Sequence, residues 1–160
     1  MNTAILSIAT LFIASLFSLN TKLVAPPAAY PTARIAHTDT TINWEAMSKP
    51  ERKEYMKTVV MPKMKTIFQT FDAKHFAEFR CTTCHGAGAR TGEFKMPNPD
   101  LPKLPSTMDG FKKLSQDKPK WMEFMGKTVK PEMADLLGLK PFDPKTGKGF
   151  GCGNCHTTEK

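Results

Sequence analysis

All four cysteines of the 160-residue chain fall in two strings of one form, Cys81-Thr82-Thr83-Cys84-His85 and Cys152-Gly153-Asn154-Cys155-His156. Each string offers two thiols one helical turn apart and an imidazole directly after them. That arrangement suits covalent haem c. The thiols add to the two vinyl groups as thioethers, and the adjacent histidine binds iron from the proximal side. On this reading Cys81, Cys84, Cys152 and Cys155 attach two haems, and His85 and His156 are iron ligands. The chain has only four histidines, so an imidazole after both cysteine pairs is a specific signal.

Other uses of paired cysteines fit less well. A zinc ribbon also uses two Cys-x-x-Cys pairs, but it has no need of the two histidines and spaces its pairs closer than Cys84 to Cys152. A disulfide framework suits an exported chain, but again leaves the histidines unexplained. A thioredoxin-like redox pair belongs in a βαβ setting, and nothing in the chain reads as alternating strands.

The segment before each string is duplicated. Residues 48–64 and 117–133 align at a constant offset of 69, with seven identities in 17 positions: Lys49/Lys118, Pro50/Pro119, Glu54/Glu123, Met56/Met125, Val60/Val129, Pro62/Pro131 and Met64/Met133. At the cysteine strings the offset is 71, so the second copy carries two extra residues. A fixed period marks a repeated structural unit. Ser48 with Glu51 predicts a capping box at the first helix start, and Asp117 predicts an N-cap at the second. Apolar residues then recur at 56, 60, 64, 68 and 71, and at 125, 129, 133, 136 and 137, which is helical spacing. Pro62 and Pro131 lie inside these patterns and predict a kink or a break. Each unit is expected to be a helix bearing Met, a turn, and a short helix bearing Cys-x-x-Cys-His.

Low-spin haem iron takes a second axial ligand, and Met sulfur is a common partner for His. For the second haem Met133 is the expected distal ligand, with Met125 and Met122 as competitors. It lies upstream because only four residues follow His156. Its repeat mate Met64 is the expected ligand of the first haem. Met96, on the Pro-rich loop Phe94-Lys-Met-Pro-Asn-Pro, is the alternative for that site, and His75 a further one. His37 and His75 otherwise read as solvated, and Phe76, Phe79 and Phe150 as packing on haem edges. Core packing is the usual fate of a Met on an apolar helix face.

The chain's length and composition fit one soluble domain of modest core: hydrophobic residues are 40% and charged residues 24%, and 13 Pro with 10 Gly imply much loop. Residues 1–24 read as a signal peptide or N-terminal anchor. The run from Ala4 to Leu19 is apolar apart from Ser and Thr, and the first basic residue is Lys22. Sixteen helical residues would reach roughly 24 Å, short of a hydrocarbon core of about 30 Å, which favours export with cleavage. Residues 25–43 follow as an extended linker, and 44–160 as a single domain with repeat units about 48–85 and 117–156. The expected fold class is mainly α: two repeated helix–turn–helix haem-c modules with long Pro/Gly-rich loops. Residues 96–119, with five prolines, read as a rigid extended linker, and 141–151 as a turn-rich approach to the second string.

The unit of a Met-bearing helix, a turn, and a helix with Cys-x-x-Cys-His resembles the repeated module of the multihaem cytochrome c subunit of photosynthetic reaction centres. The resemblance covers about 48–85 and 117–156. It implies that the Met of the preceding helix, here Met64 and Met133, is the distal ligand. Two units stand here, not four, so the module and its ligation carry over and the photosynthetic partner does not. Four-helix cytochromes with a single haem near the C-terminus are a weaker match.

The expected function is electron transfer outside the cytoplasm, in the periplasm or an equivalent space, by a dihaem cytochrome c with no catalytic residues. No Ser/His/Asp set, phosphate loop or purposeful carboxylate pair appears. The alternative is a haem enzyme or gas-binding cytochrome with one open-site iron, peroxidase-like or cytochrome c′-like. The formal net charge is +8, which haem propionates would lower. Lys112, Lys113, Lys118 and Lys120 cluster near the second unit, either as a solvated face or as an orienting patch. Expected partners are redox proteins, acidic or membrane-bound, and not nucleic acid. An uncleaved N-terminal segment would add membrane association.

Overall fold

A computed structural model describes residues 42–159. The expected leader, the linker up to residue 41, and His37 lie outside the described residues. The described chain is mainly helical. Its extended pairing among the described residues consists of isolated bridges, and no helix there is long and apolar enough to cross a membrane.

The first repeat opens as helix α1 (Lys49–Tyr55). The Ser48 N–H donates to the Glu51 carboxylate at 2.7 Å, which realises the reciprocal cap expected at that start. The helix does not break at Pro62. Residues Met56–Val60 form a π-helical turn that leads straight into α2 (Met61–Phe71), with Pro62 in its first turn. A proline lacks an N–H and crowds the carbonyl four residues back. A π turn widens the ladder there, and the Met61 N–H reaches the Met56 carbonyl, five residues back. The second repeat does the same at the same offset: α5 (Pro119–Phe124), a π turn Met125–Val129, and α6 (Lys130–Leu136), with the Lys130 N–H bonded to the Met125 carbonyl. The wider turn also takes up the drift that a four-residue apolar spacing suffers on a 3.6-residue helix. Val60, Met64 and Phe68 are accordingly all buried.

The two copies meet face to face. Val60 and Met64 share one core with their repeat mates Val129 and Met133, together with Phe68, Phe76, Phe79, Phe124 and Leu136. Lys63 and Glu132, also mates, form an ion pair at 3.2 Å. Residues that meet their own mates lie on a local two-fold relation, as in an isologous contact. The aromatic part of this core is dense: Phe71 stacks on Phe124 with centroids 3.9 Å apart, and Phe68 meets Phe76 and Phe124 edge-on. Tyr55 ties the copies at their rim, donating its hydroxyl to the Leu136 carbonyl at 2.7 Å.

Three expectations about elements need correction. Asp117 does not cap the second repeat. It is the last residue of a helix the linker reading missed, α4 (Met108–Asp117), and it pairs with Lys113 one turn back at 3.1 Å. Lys118 takes the N-cap position of α5 instead. The signals for α4 were present: Thr107 accepts the Gly110 N–H as an N-cap, Asp109 sits in the first turn, and 108, 111 and 114 are apolar. The second string is not a helix either. The first occupies a short helix α3 (Cys81–His85), whereas the second forms only a 3₁₀ turn over Cys152–Asn154. Gly153 weakens helix there, and Asn98 and Leu104, on either side of a turn at 99–101, form isolated parallel bridges with His156 and Thr158.

Candidate metal centre

Each string is positioned by its own short element. In α3, Thr83 caps the turn through its hydroxyl, which accepts the Arg80 N–H at 3.0 Å. In the second string the Gly151 N–H donates to Asn154 Oδ1 at 2.8 Å, and the His156 N–H closes on the Cys152 carbonyl at 2.9 Å. None of the four cysteines is in a disulfide; Cys81 and Cys152 are exposed, and Cys84 and Cys155 are half-buried. Burial, with Cys155 and Cys81 nearby, pushes the Cys84 thiol up to about 12. Burial, with Cys152 beside it, pushes Cys155 up to about 11. Both inner sulfurs are therefore neutral thiols, and a thioether, which carries no charge, suits such surroundings.

The two strings lie together. The Cys84 thiol is near enough to Cys155 for the two to repel as thiolates. The residue between them is Asn98, the buried polar residue among the described residues, at 2% exposure. Its Nδ2 donates to the Cys84 carbonyl at 2.9 Å. Its backbone N–H donates to the Cys155 carbonyl, also at 2.9 Å. Its Oδ1 accepts the Asp100 N–H at 2.9 Å. Asp100 in turn accepts the Ala87 N–H at 3.1 Å, just beyond the first imidazole. Gly86 between them has φ +65°, and a Cβ there would collide with Asp100 Oδ2 and stand 2.9 Å from Asn98 Oδ1. Only glycine fits that position.

Beyond Asn98 the chain turns at 99–101 and meets the second string again at Leu104. Leu104 donates to the Thr157 carbonyl at 2.8 Å and accepts from Glu159 at 2.8 Å. Between these points the Pro102 carbonyl lies 2.9 Å from His156 Nδ1. Since a carbonyl only accepts, that nitrogen carries the proton, and Nε2 keeps the lone pair for a metal. His85 differs. Its ring meets Phe94 edge-on at 5.3 Å, its Nδ1 is buried without a hydrogen-bond partner, and burial holds it below the ordinary histidine range.

The candidate distal ligands are distributed as follows. Met64 is buried at 3% in the core against which Cys84 packs. Met133 is half-buried; it joins that core and also the smaller cluster of Ala134, Leu137 and Phe150, where Cys155 packs. Met125 packs against the main core, and Met122 and Met96 are half-buried. His75 is exposed, with its ring against Phe76 and Trp121. Phe76 and Phe79 lie in the main core beside Phe68, and Phe150 in the second cluster.

Among the described residues no three His, Cys, Asp or Glu side chains gather as a cation cage. Each string instead presents two thiols and one imidazole along a single segment, with Met-bearing helices behind. That donor set fits haem c: Cys81 and Cys84 with His85, and Cys152 and Cys155 with His156. Sequence reasoning missed Asn98, Asp100 and Pro102. The one signal was the polar pair set among prolines in Pro97-Asn98-Pro99-Asp100-Leu101-Pro102. The chain matches no protein-family model, no curated protein and no solved structure.

Proposed function

We propose that the chain is a dihaem c-type cytochrome that carries single electrons outside the cytoplasm, in the periplasm or an equivalent space, and is not an enzyme. The observation that carries this reading is the pair of Cys-x-x-Cys-His strings brought side by side, with the His156 imidazole already oriented through Nδ1 by a backbone carbonyl. Haem c, when bound, supplies a one-electron iron couple whose potential follows axial ligand, burial and hydrogen bonding. The chain's part is to attach, orient and shield. Cys81 and Cys84, and Cys152 and Cys155, hold the two groups. His85 and His156 are proximal ligands, and Met64 and Met133 the distal ones. Cys84 borders the core that contains Met64, and Cys155 and Met133 border the smaller cluster of Ala134, Leu137 and Phe150, which supports that pairing. Met96, two residues before Asn98, remains the alternative distal ligand for the first haem.

A redox partner, acidic or membrane-bound, would dock on the basic side. Lys112, Lys113, Lys118 and Lys120 are all exposed, and Lys113 is engaged by Asp117. Transfer to such a partner should slow as salt rises, since screening shortens from about 10 Å at 0.1 M to about 3 Å at 1 M; a rate indifferent to salt would place the docking surface elsewhere.

The decisive experiment is the intact mass of the exported protein made with haem-attachment machinery, together with its reduced visible spectrum. Two additions of about 616 Da each and a fully low-spin spectrum are expected. A mass with zinc, or with no addition, would refute the reading. A high-spin fraction that binds CO would favour an open-site haem enzyme or gas-binding cytochrome.

A further inference from the structure

Asn98 uses every polar group it has. An asparagine offers a side-chain donor, a side-chain acceptor, a backbone donor and a backbone acceptor. Here they go to the Cys84 carbonyl, the Asp100 N–H, the Cys155 carbonyl and the Leu101 N–H, the last at 3.3 Å. The side chain is almost fully buried. A buried amide is costly unless satisfied and rigid when it is. The two acceptors are not arbitrary. Cys84 and Cys155 are repeat mates at the offset of 71, each the residue immediately before a proximal imidazole. A single residue outside both strings thus grips the same backbone atom of each copy.

Resting on the dihaem reading above, we propose that Asn98 is a positioning residue that locks the two haem-attachment segments to one another and so sets the mutual placement of the two haems. Among the described residues no other residue hydrogen-bonds to the backbone of both strings in this way. The covalent bonds hold each haem to its own string, and the Lys63–Glu132 pair ties the helices behind them. Asn98 ties string to string. Exchange of an electron between two haems depends steeply on their separation, so a fixed spacing makes the pair one electronic unit. Asp100 extends the lock by holding the Ala87 N–H past His85.

Circular dichroism in the Soret band tests this on the loaded protein, because two haems held close give a bisignate couplet whose size depends on their distance and angle. Asn98→Ala removes the side-chain bonds to Cys84 and Asp100 and leaves the backbone bond to Cys155. Asn98→Asp keeps the size and the acceptor and replaces the donor to Cys84 with a carboxylate oxygen, which repels that carbonyl. Asn154→Ala is the control, since Asn154 braces one string alone. The wild-type protein should show the couplet. Both Asn98 variants should lose it while retaining two haem additions by mass and low-spin spectra, and Asn154→Ala should keep it. A couplet unchanged in both Asn98 variants would overturn the proposal, as would a two-haem wild-type protein without one, or equal loss in Asn154→Ala. Asn98 variants that retain no haem beside a loaded wild type would overturn it too, in favour of a role in folding alone. A wild-type protein with no covalent haem is a separate result, and refutes the dihaem reading instead.

Discussion

Asn98 Nδ2 lies 2.9 Å from the carbonyl oxygen of Cys84, 14 residues away along the chain. That bond brings the Pro-rich loop back onto the first cysteine string and fills the space beside Gly86. The glycine's backbone, φ +65° and ψ −161°, belongs to a region that residues with a Cβ avoid. Gly86→Ala should therefore destabilise the protein by about 1–3 kcal/mol. For a chain of this size that lowers the melting temperature by roughly 3–4 °C per kcal/mol. Gly147→Ala is the comparison, with positive φ but open space around it. If thermal melts show equal losses at the two sites, the crowding by Asn98 and Asp100 does not matter.

The repeat makes a paired prediction at the distal positions. Met133→Ala should leave the second iron high-spin or force a substitute ligand, and lower its potential, because Met/His ligation raises it. Met64→Ala should do the same at the first iron. Electron paramagnetic resonance of each variant resolves the two signals. Loss of a low-spin signal in Met96→Ala, with none in Met64→Ala, would transfer the first site to the Met-Pro loop.

On the dihaem reading proposed above, the two proximal histidines would differ, and the two potentials should differ with them. His156 donates Nδ1–H to the Pro102 carbonyl, which makes the ring a stronger donor to iron and favours the oxidised state. His85 Nδ1 has no such partner. The iron at His156 is therefore expected to have the lower potential, and a tenfold preference of the electron for the other site corresponds to about 59 mV. A redox titration should show two one-electron waves, with the lower one moved by Met133→Ala. Coincident waves, or a lower wave that answers to Met64→Ala, would contradict the assignment.

Acid should loosen the start of α1. Two hydrogen bonds from Ser48, the side-chain one foremost, hold the Glu51 carboxyl below the usual carboxylate range. A lowered folded value means that the contribution is fully present above the ordinary carboxylate pKa. It is lost as pH falls through the folded value, where the native state must take up a proton. The melting temperature of Glu51→Ala should thus lie below the wild type at pH 7, and the gap should close as the pH is lowered into the acid range. A gap that persists at low pH would show that Glu51 acts through something other than its charge.

Much of the helical framework was readable from the chain. The capping pair Ser48/Glu51, the apolar stripe through Val60, Met64 and Phe68, and the identities at an offset of 69 depend on neighbours within a few turns, and local spacing carries them. The thiols and imidazoles of the two strings were readable for the same reason, since each lies within five consecutive residues. Pro62 and Pro131 signalled a disturbance, but whether a helix breaks or widens depends on the packing that rewards keeping it whole. Here the shared aromatic core holds α1 and α2 in one line, and a π turn absorbs the proline.

What only the tertiary structure decided is how the two copies meet. That Lys63 faces Glu132, that Cys84 comes beside Cys155, and that Asn98 joins them are contacts between residues 14 to 71 positions apart. No periodicity encodes such a contact. A hydrogen bond needs two groups within about 3 Å, and chain folding over that distance is set by the burial of Phe68, Phe124 and Leu136, not by the residues that finally touch. The same reason explains the second string. Its composition matches the first closely enough to predict a helix, yet its conformation is imposed by a partner segment, Asn98 to Leu104, that lies more than 45 residues upstream of Cys152.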